Sequence, residues 1–114
     1  MKIGELAKHS GLTAHTLRYY EKIGLLPYAT RDMSGNRNYD KSILIWIEFL
    51  GRLKTTEMPI RNMLHYAKLR ALGASTAKER RELLEEHRKQ VHVRIAELQA
   101  SLSVLDMKIA GYGA

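Results

Sequence analysis

Apolar residues recur with a helical period over most of the chain, and the places where that period breaks mark the elements. Ile3, Leu6 and Ala7 make an i, i+3, i+4 stripe, which predicts a short helix over 3–10 that Gly11 stops. Thr13 is a good N-cap for a second helix, with Thr16 and Leu17 in its first turn, running to about Ile23 and ended by Gly24. Two short helices joined by a tight glycine-containing turn predict a helix-turn-helix. Pro27 prevents further helix. From Tyr28 to Tyr39 the period is lost, and Ser34-Gly35-Asn36 is a strong turn signal between short flanks. A small two-stranded hairpin, or wing, is expected there. Asp40 then caps a third helix from Lys41 to about Thr55, with Ile43, Leu44, Ile47, Leu50 and Leu53 inward and Trp46 and Phe49 widening the stripe. Pro59 fits the first turn of a fourth helix, whose apolar positions are Ile60, Met63, Leu64, Ala67 and Ala71 and which Gly73 closes.

The last segment has the clearest pattern. Thr76 with Glu79 reads as a capping box, and no Pro or Gly follows until Gly111. Apolar residues fall at Leu84, Val91, Ile95, Leu98, Leu102, Leu105 and Ile109, with gaps of 4, 3, 4, 3 and 4 from Val91 onward and His87 in the position before Val91. That is a heptad seam. A helix from Thr76 to Ile109 would extend about 50 Å at 1.5 Å per residue, whereas a globule of this size has a radius of gyration of about 13 Å. The helix must therefore project, and its apolar seam needs a partner. The simplest partner is a second copy, giving a homodimer through a coiled coil. The expected fold class is all-α with a small β-hairpin wing: a winged helix-turn-helix, a two-helix linker, and a long C-terminal coiled-coil dimerisation helix. Residues 1–73 form the first part and 74–114 the dimerisation helix with its short tail.

Composition narrows the chemistry. The chain has 114 residues, 45% hydrophobic and 27% charged, which suits a folded soluble protein rather than a disordered one. It contains no cysteine, which excludes disulfides, thiolate metal sites and redox-sensing thiols. The longest apolar run, Ile43 to Ile47, is far too short to span a bilayer, so no membrane association is expected. The N-terminus carries Glu5 and no apolar core of a secretory signal, so a cytoplasmic location is expected. Net charge is +7 and the isoelectric point about 9.8, a balance that points to an anionic partner, with nucleic acid foremost. Residues 1–56 carry nine basic and five acidic side chains, and 57–114 carry ten and seven. The second half interleaves the two signs along one helix, as in Glu85 and Lys89, and reads as a solvated face. The first half concentrates its bases on two short elements.

On the second helix, Leu17, Tyr20 and Gly24 fall near one side, while His15, Arg18, Tyr19 and Lys22 fall largely on the others. A helix of this kind fits a major groove. Arg18 has the fork for guanine O6/N7 or for phosphate. Thr13, Thr16 and the helix N-terminus suit phosphate oxygens. The wing adds Arg31 and Arg37, with Asn36 and Tyr39, to reach the flanking backbone. Either Tyr19 or Tyr20 is expected in the core, and Tyr20 could pack its ring while offering its hydroxyl. Arg18 could instead pair with Glu21 or Glu5.

The run from Leu12-Thr13 through Arg18-Tyr19-Tyr20-Glu21-Lys22-Ile23-Gly24-Leu25-Leu26-Pro27 resembles the signature of the MerR family of transcription regulators, and Gly35-Asn36-Arg37-Asn38-Tyr39 resembles that family's wing. The resemblance covers the whole chain. The short tail and Thr55-Thr56-Glu57-Met58-Pro59 resemble the small aldehyde- and thiol-stress-responsive members. It implies a dimer joined by an antiparallel coiled coil on a pseudo-palindromic promoter, between −35 and −10 elements with an unusually long spacer. The activated form bends and undertwists the DNA so that RNA polymerase can engage both elements, a form of indirect readout. By the same resemblance, Arg18 and Tyr20 contact DNA from the second helix, and Arg31, Arg37 and Tyr39 contact the backbone from the wing. His15 stands where a groove-facing residue is expected.

Three departures stand out. Asn36 occupies a position where many members have an aromatic residue, and Glu57 one where glycine is common before Met58-Pro59. The thiol-responsive members carry a cysteine near the third helix, and this chain has none, so thiol sensing and thiolate metal sensing do not carry over. A small-molecule effector bound between the fourth helix and the coiled coil is the remaining expectation, with Trp46, Tyr66 and Tyr112 as candidate lining residues; core packing or a hinge is the alternative for each. His9, His15, His65, His87 and His92 show no compact ligand spacing, so neither a metal nor a cofactor is expected. No enzyme signature is present. The reading is a sequence-specific DNA-binding transcriptional regulator; the alternatives are a non-specific architectural winged-helix binder and a coiled-coil protein adaptor.

Overall fold

Leu6 on α1 (Ile3–Ser10) and Leu17 on α2 (Ala14–Ile23) are wholly buried in the computed structural model, which describes residues 1–113. Thr13 caps α2 as expected, its hydroxyl accepting the Thr16 N–H at 3.0 Å. Gly24 closes α2 in the left-handed region (φ 95°), where a side chain is disfavoured. Leu25 and Leu26 then both donate to the Tyr20 carbonyl, at 2.9 and 3.2 Å. That tight exit folds two leucines into the core, each worth about 1.5–3 kcal/mol of burial.

The wing is short. β1 (Thr30–Arg31) pairs antiparallel with β2 (Arg37–Asn38), with Thr30 opposite Asn38 and Arg31 opposite Arg37. Asp32 holds the turn, its carboxylate accepting the N–H groups of Ser34 and Asn36 at 2.9 and 3.0 Å. The hairpin is anchored through Met1, whose carbonyl accepts the Tyr39 N–H at 2.6 Å and whose nitrogen donates to Asn38 Oδ1 and the Tyr39 carbonyl.

The third helix starts later than expected. α3 spans Ile43–Thr55, because Asp40 turns its carboxylate onto the Ser42 N–H at 2.9 Å and spends Lys41 and Ser42 in a turn. Its inward face is Ile43, Trp46, Ile47, Leu50 and Leu53. α4 (Ile60–Leu72) is rotated from the expected stripe: Ile60 and Ala71 are exposed, while Tyr66 and Leu69 join Met63 and Ala67 inside. The cause is aromatic. Tyr66 stacks on Trp46 with ring centres 5.7 Å apart, and Phe49 packs against both. The indole N–H is satisfied by the Leu25 carbonyl at 2.8 Å.

The expected capping box does not form. Thr76 ends a 3-10 turn (Ala74–Thr76), and its hydroxyl turns back to the carbonyls of Leu69 at 2.6 Å and Gly73 at 2.8 Å. It therefore closes the open end of α4 instead of capping the next helix. Arg80 donates to the Thr76 hydroxyl and the Gly73 carbonyl, which ties the start of α5 (Ala77–Gly111) to the same turn. The chain divides into two units, Met1–Arg80 and Arg81–Ala114. In the second, the seam residues Leu84 and Val91 are half-buried, and Ile95, Leu98, Leu102, Leu105 and Ile109 are exposed. Glu85 pairs with Arg81 at 2.6 Å rather than with Lys89, which approaches Glu86 at 3.7 Å. Ala114, the last residue of the expected tail, lies outside the described residues.

Candidate nucleic-acid interface

α2 presents an exposed face of His15, Arg18, Tyr19 and Lys22. Its one acid, Glu21, is turned inward and only 4% exposed, so no carboxylate from this helix offsets Arg18 and Lys22 at the surface. Among the described residues Arg18 makes no salt bridge, with Glu21 or with Glu5. Thr13 spends its hydroxyl on the cap and donates to Thr16 Oγ1 at 3.0 Å. The Thr16 hydroxyl proton stays available for a phosphate oxygen at the helix N-terminus.

The two tyrosines differ. Tyr19 is half-exposed, whereas Tyr20 is buried with its hydroxyl accepting from Lys54 Nζ at 2.7 Å. The same nitrogen lies 5.4 Å from the Tyr20 ring centre, beyond the hydroxyl, so α3 holds Tyr20 by its hydroxyl end.

On the wing, Arg31 and Asn36 are exposed, and Arg31 donates to the Gly35 carbonyl at 2.9 Å. Met33 stands fully exposed at the tip. Arg37 is held by its Nε, 3.4 Å from the Glu21 carboxylate. Tyr39 is a core residue, 4% exposed, and donates its hydroxyl to Glu21 at 2.9 Å. Burial, and then the bond to Glu21, push its pKa up to about 12. Glu21 thus anchors the wing to α2 through the Tyr39 hydroxyl and the Arg37 Nε. Sequence reasoning gave Lys54 no role and Glu21 only that of an alternative partner for Arg18, whereas Glu21 pairs with Arg37. The signal was present for Glu21: with Leu17 and Tyr20 it completes an i, i+3, i+4 set on the buried side.

The effector candidates are divided. Trp46 and Tyr66 stack inside the first unit, while Tyr112 is exposed in the second. No group of three His, Asp or Glu among the described residues could hold a metal ion. No helix among them is long and apolar enough to cross a membrane.

Comparison with known proteins agrees with the geometry. The description "MerR family regulatory protein" matches residues 2–39, the span from α1 through the wing. An uncharacterised HTH-type transcriptional regulator of Haemophilus influenzae is 40% identical over 93% of this chain and 78% of its own length. The HTH-type transcriptional regulator AdhR of Bacillus subtilis is 38% identical over 80% of this chain and 65% of its own length. Among solved structures, HiNmlR superposes with a TM-score of 0.86 at 38% identity, covering 97% of this chain and 88% of that one. HiNmlR is described as a MerR family regulator lacking the sensor domain, bound to promoter DNA. Identity and superposition both run past the wing into the C-terminal helix. With its winged helix-turn-helix and long final helix, the chain belongs to the MerR family of DNA-binding transcriptional regulators.

Proposed function

We propose that the chain works as a homodimer, joined along the α5 seam in an antiparallel coiled coil, on a pseudo-palindromic promoter. It controls transcription there by bending and undertwisting the DNA for RNA polymerase. The observation that carries this reading is the inward turn of Glu21, which leaves α2 with an exposed face of Arg18, Lys22, His15 and Tyr19 and no opposing acid. Arg18 reads base edges or phosphate in the major groove, and His15 and Tyr19 flank it. Thr13 and Thr16 at the helix start, with Arg31, Asn36 and Arg37 on the wing, position the backbone. Tyr20 and Tyr39 act from the core, fixing α2 against Lys54 and the wing against Glu21. Residues 1–73 read the DNA and 74–114 dimerise. Dimerisation supplies the second half-site and covers Leu84, Val91, Ile95, Leu98, Leu102, Leu105 and Ile109. In this reading the protein acts in the cytoplasm and does no chemistry on its ligand.

Fluorescence-anisotropy titration against the protein's own upstream promoter duplex, beside a scrambled duplex of equal length, tests it. At physiological salt the promoter should be preferred by about 10³ or more. Equal, strongly salt-dependent binding to both would make the chain an architectural binder, and no binding to either would make it an adaptor.

A further inference from the structure

We propose that a cleft at the C-terminal end of α2 binds a small amphiphilic anion, an apolar body carrying one carboxylate or sulfonate group. The cleft lies wholly within the first unit, between the segment leaving α2, Trp46 of α3 and one face of α4. Its volume is about 570 Å³, within the range of small-ligand pockets. Leu26, Leu64 and Ala67 give it apolar walls. The polar side chains among its lining residues, apart from the Trp46 indole, are Lys68 and Arg70, and no acid lines it.

The state of the two cations indicates the ligand's charge. Neither makes a salt bridge among the described residues. Arg70 is held by the indole instead, its guanidinium carbon 4.6 Å from the Trp46 ring centre. A guanidinium fixed by a ring keeps its N–H donors for an anion, and its planar fork matches a carboxylate or sulfonate. Beside apolar walls that attraction exceeds what the same cation gives at open surface. The indole N–H is already taken by the Leu25 carbonyl, so Trp46 offers the ligand no donor and serves the site by holding Arg70. Ile23 and Gly24, the end of α2, also line the cleft, so its occupant touches the element that carries Arg18. Tyr112 has no part in this site; Tyr66 serves it only as the ring stacked on Trp46.

Trp46 is the one tryptophan of the chain, which supplies the readout. The full-length protein is titrated, without DNA, with 8-anilinonaphthalene-1-sulfonate and with the uncharged N-phenyl-1-naphthylamine of similar body. The expected result is saturable binding of one anion per chain with quenching of Trp46, at least tenfold tighter than the uncharged probe. In the Lys68→Gln/Arg70→Gln double variant, made at positions outside the buried core, the preference should disappear while the uncharged probe binds as before. Ala67→Phe should exclude both probes, and its circular dichroism and promoter binding check that it is folded. Equal affinity for the two probes, unquenched Trp46, or an anion preference that survives the double variant would each overturn the proposal. Because no DNA is present, its failure is separate from any failure of promoter recognition.

Discussion

The Tyr39 hydroxyl donates to the Glu21 carboxylate at 2.9 Å, and through that bond the wing is fastened to α2. A carboxylate only 4% exposed costs several kcal/mol to bury unless it is paired and hydrogen-bonded. Here the Tyr39 hydroxyl and the Arg37 Nε supply those partners. Tyr39→Phe removes one and leaves the charge in place. Urea unfolding should show a loss of about 1–3 kcal/mol. Alkali should act through the same bond. Because Tyr39 titrates near 12 rather than 10, its contribution is complete below pH 10 and lost as pH rises from about 10 to 12. A Tyr39→Phe variant as stable as wild type would show that the bond is idle.

Arg18 and Arg37 are expected to fail differently. Arg18 is exposed and free of salt bridges among the described residues, so Arg18→Ala should lose discrimination between promoter and scrambled duplex, about 1–3 kcal/mol if it reads a base. In the proposed complex Arg37 contacts the DNA backbone, so Arg37→Ala should weaken both duplexes alike and lower the salt slope by about one. Arg37→Ala should also cost folding stability, because Glu21 loses its cation. Identical effects of the two changes on discrimination would remove the division of labour.

Much of this was legible in the sequence because local rules agreed with the fold. Gly11, Thr13 and Gly24 cap helices where their chemistry suits them, and the wing turn sits where Ser34-Gly35-Asn36 announced it. What escaped was tertiary. The helical period of α4 points to Ile60 and Ala71, but the Trp46–Tyr66 stack selects another face. Thr76 and Glu79 have capping-box spacing, yet the Thr76 hydroxyl donates to the open carbonyls of α4 and accepts from Arg80 Nε. Tyr20 was legible as a packed ring offering its hydroxyl, but its partner Lys54 was not, and Tyr39 was not legible as a buried support, because Lys54 and Glu21 lie 34 and 18 positions from the tyrosines they bond.

Glu57 adopts φ 62° at the turn between α3 and α4, the one residue other than glycine with positive φ among those described. An L side chain in that region costs about 1–2 kcal/mol, which glycine avoids while losing more chain entropy on folding. Glu57→Gly should therefore raise stability by about 0.5–1 kcal/mol, and Glu57→Val, branched at Cβ, should lower it. Urea midpoints of the three proteins decide this, and a destabilised Glu57→Gly would mean that the contacts of the Glu57 side chain outweigh its strain.

Leu98 sits mid-seam and is 63% exposed in the single chain. A carboxylate there would be buried without a partner in any coiled coil that uses the seam. Leu98→Glu should yield monomers by sedimentation velocity at concentrations where wild type is dimeric, with promoter affinity lost alongside. A monomeric wild type would remove the seam's assigned role.

His87 occupies the seam position before Val91 and should make α5 acid-sensitive. Burial first, and then the charge of Arg94, hold its pKa below the ordinary 6.5. The unfolded chain therefore binds the proton more readily than the folded one, and stability rises with pH across the interval between the two values. The contribution is complete above about pH 6.5 and is lost as pH falls through the depressed folded value. A dimer that buries the seam further would deepen the effect, because protonation would place a second cation near Arg94 in a drier setting. Thermal unfolding and dimer dissociation, followed from pH 7.5 to pH 5.5, should show wild type losing more stability than His87→Leu, which keeps an apolar residue on the seam and cannot titrate. Parallel losses in the two proteins would assign the acid sensitivity to other groups.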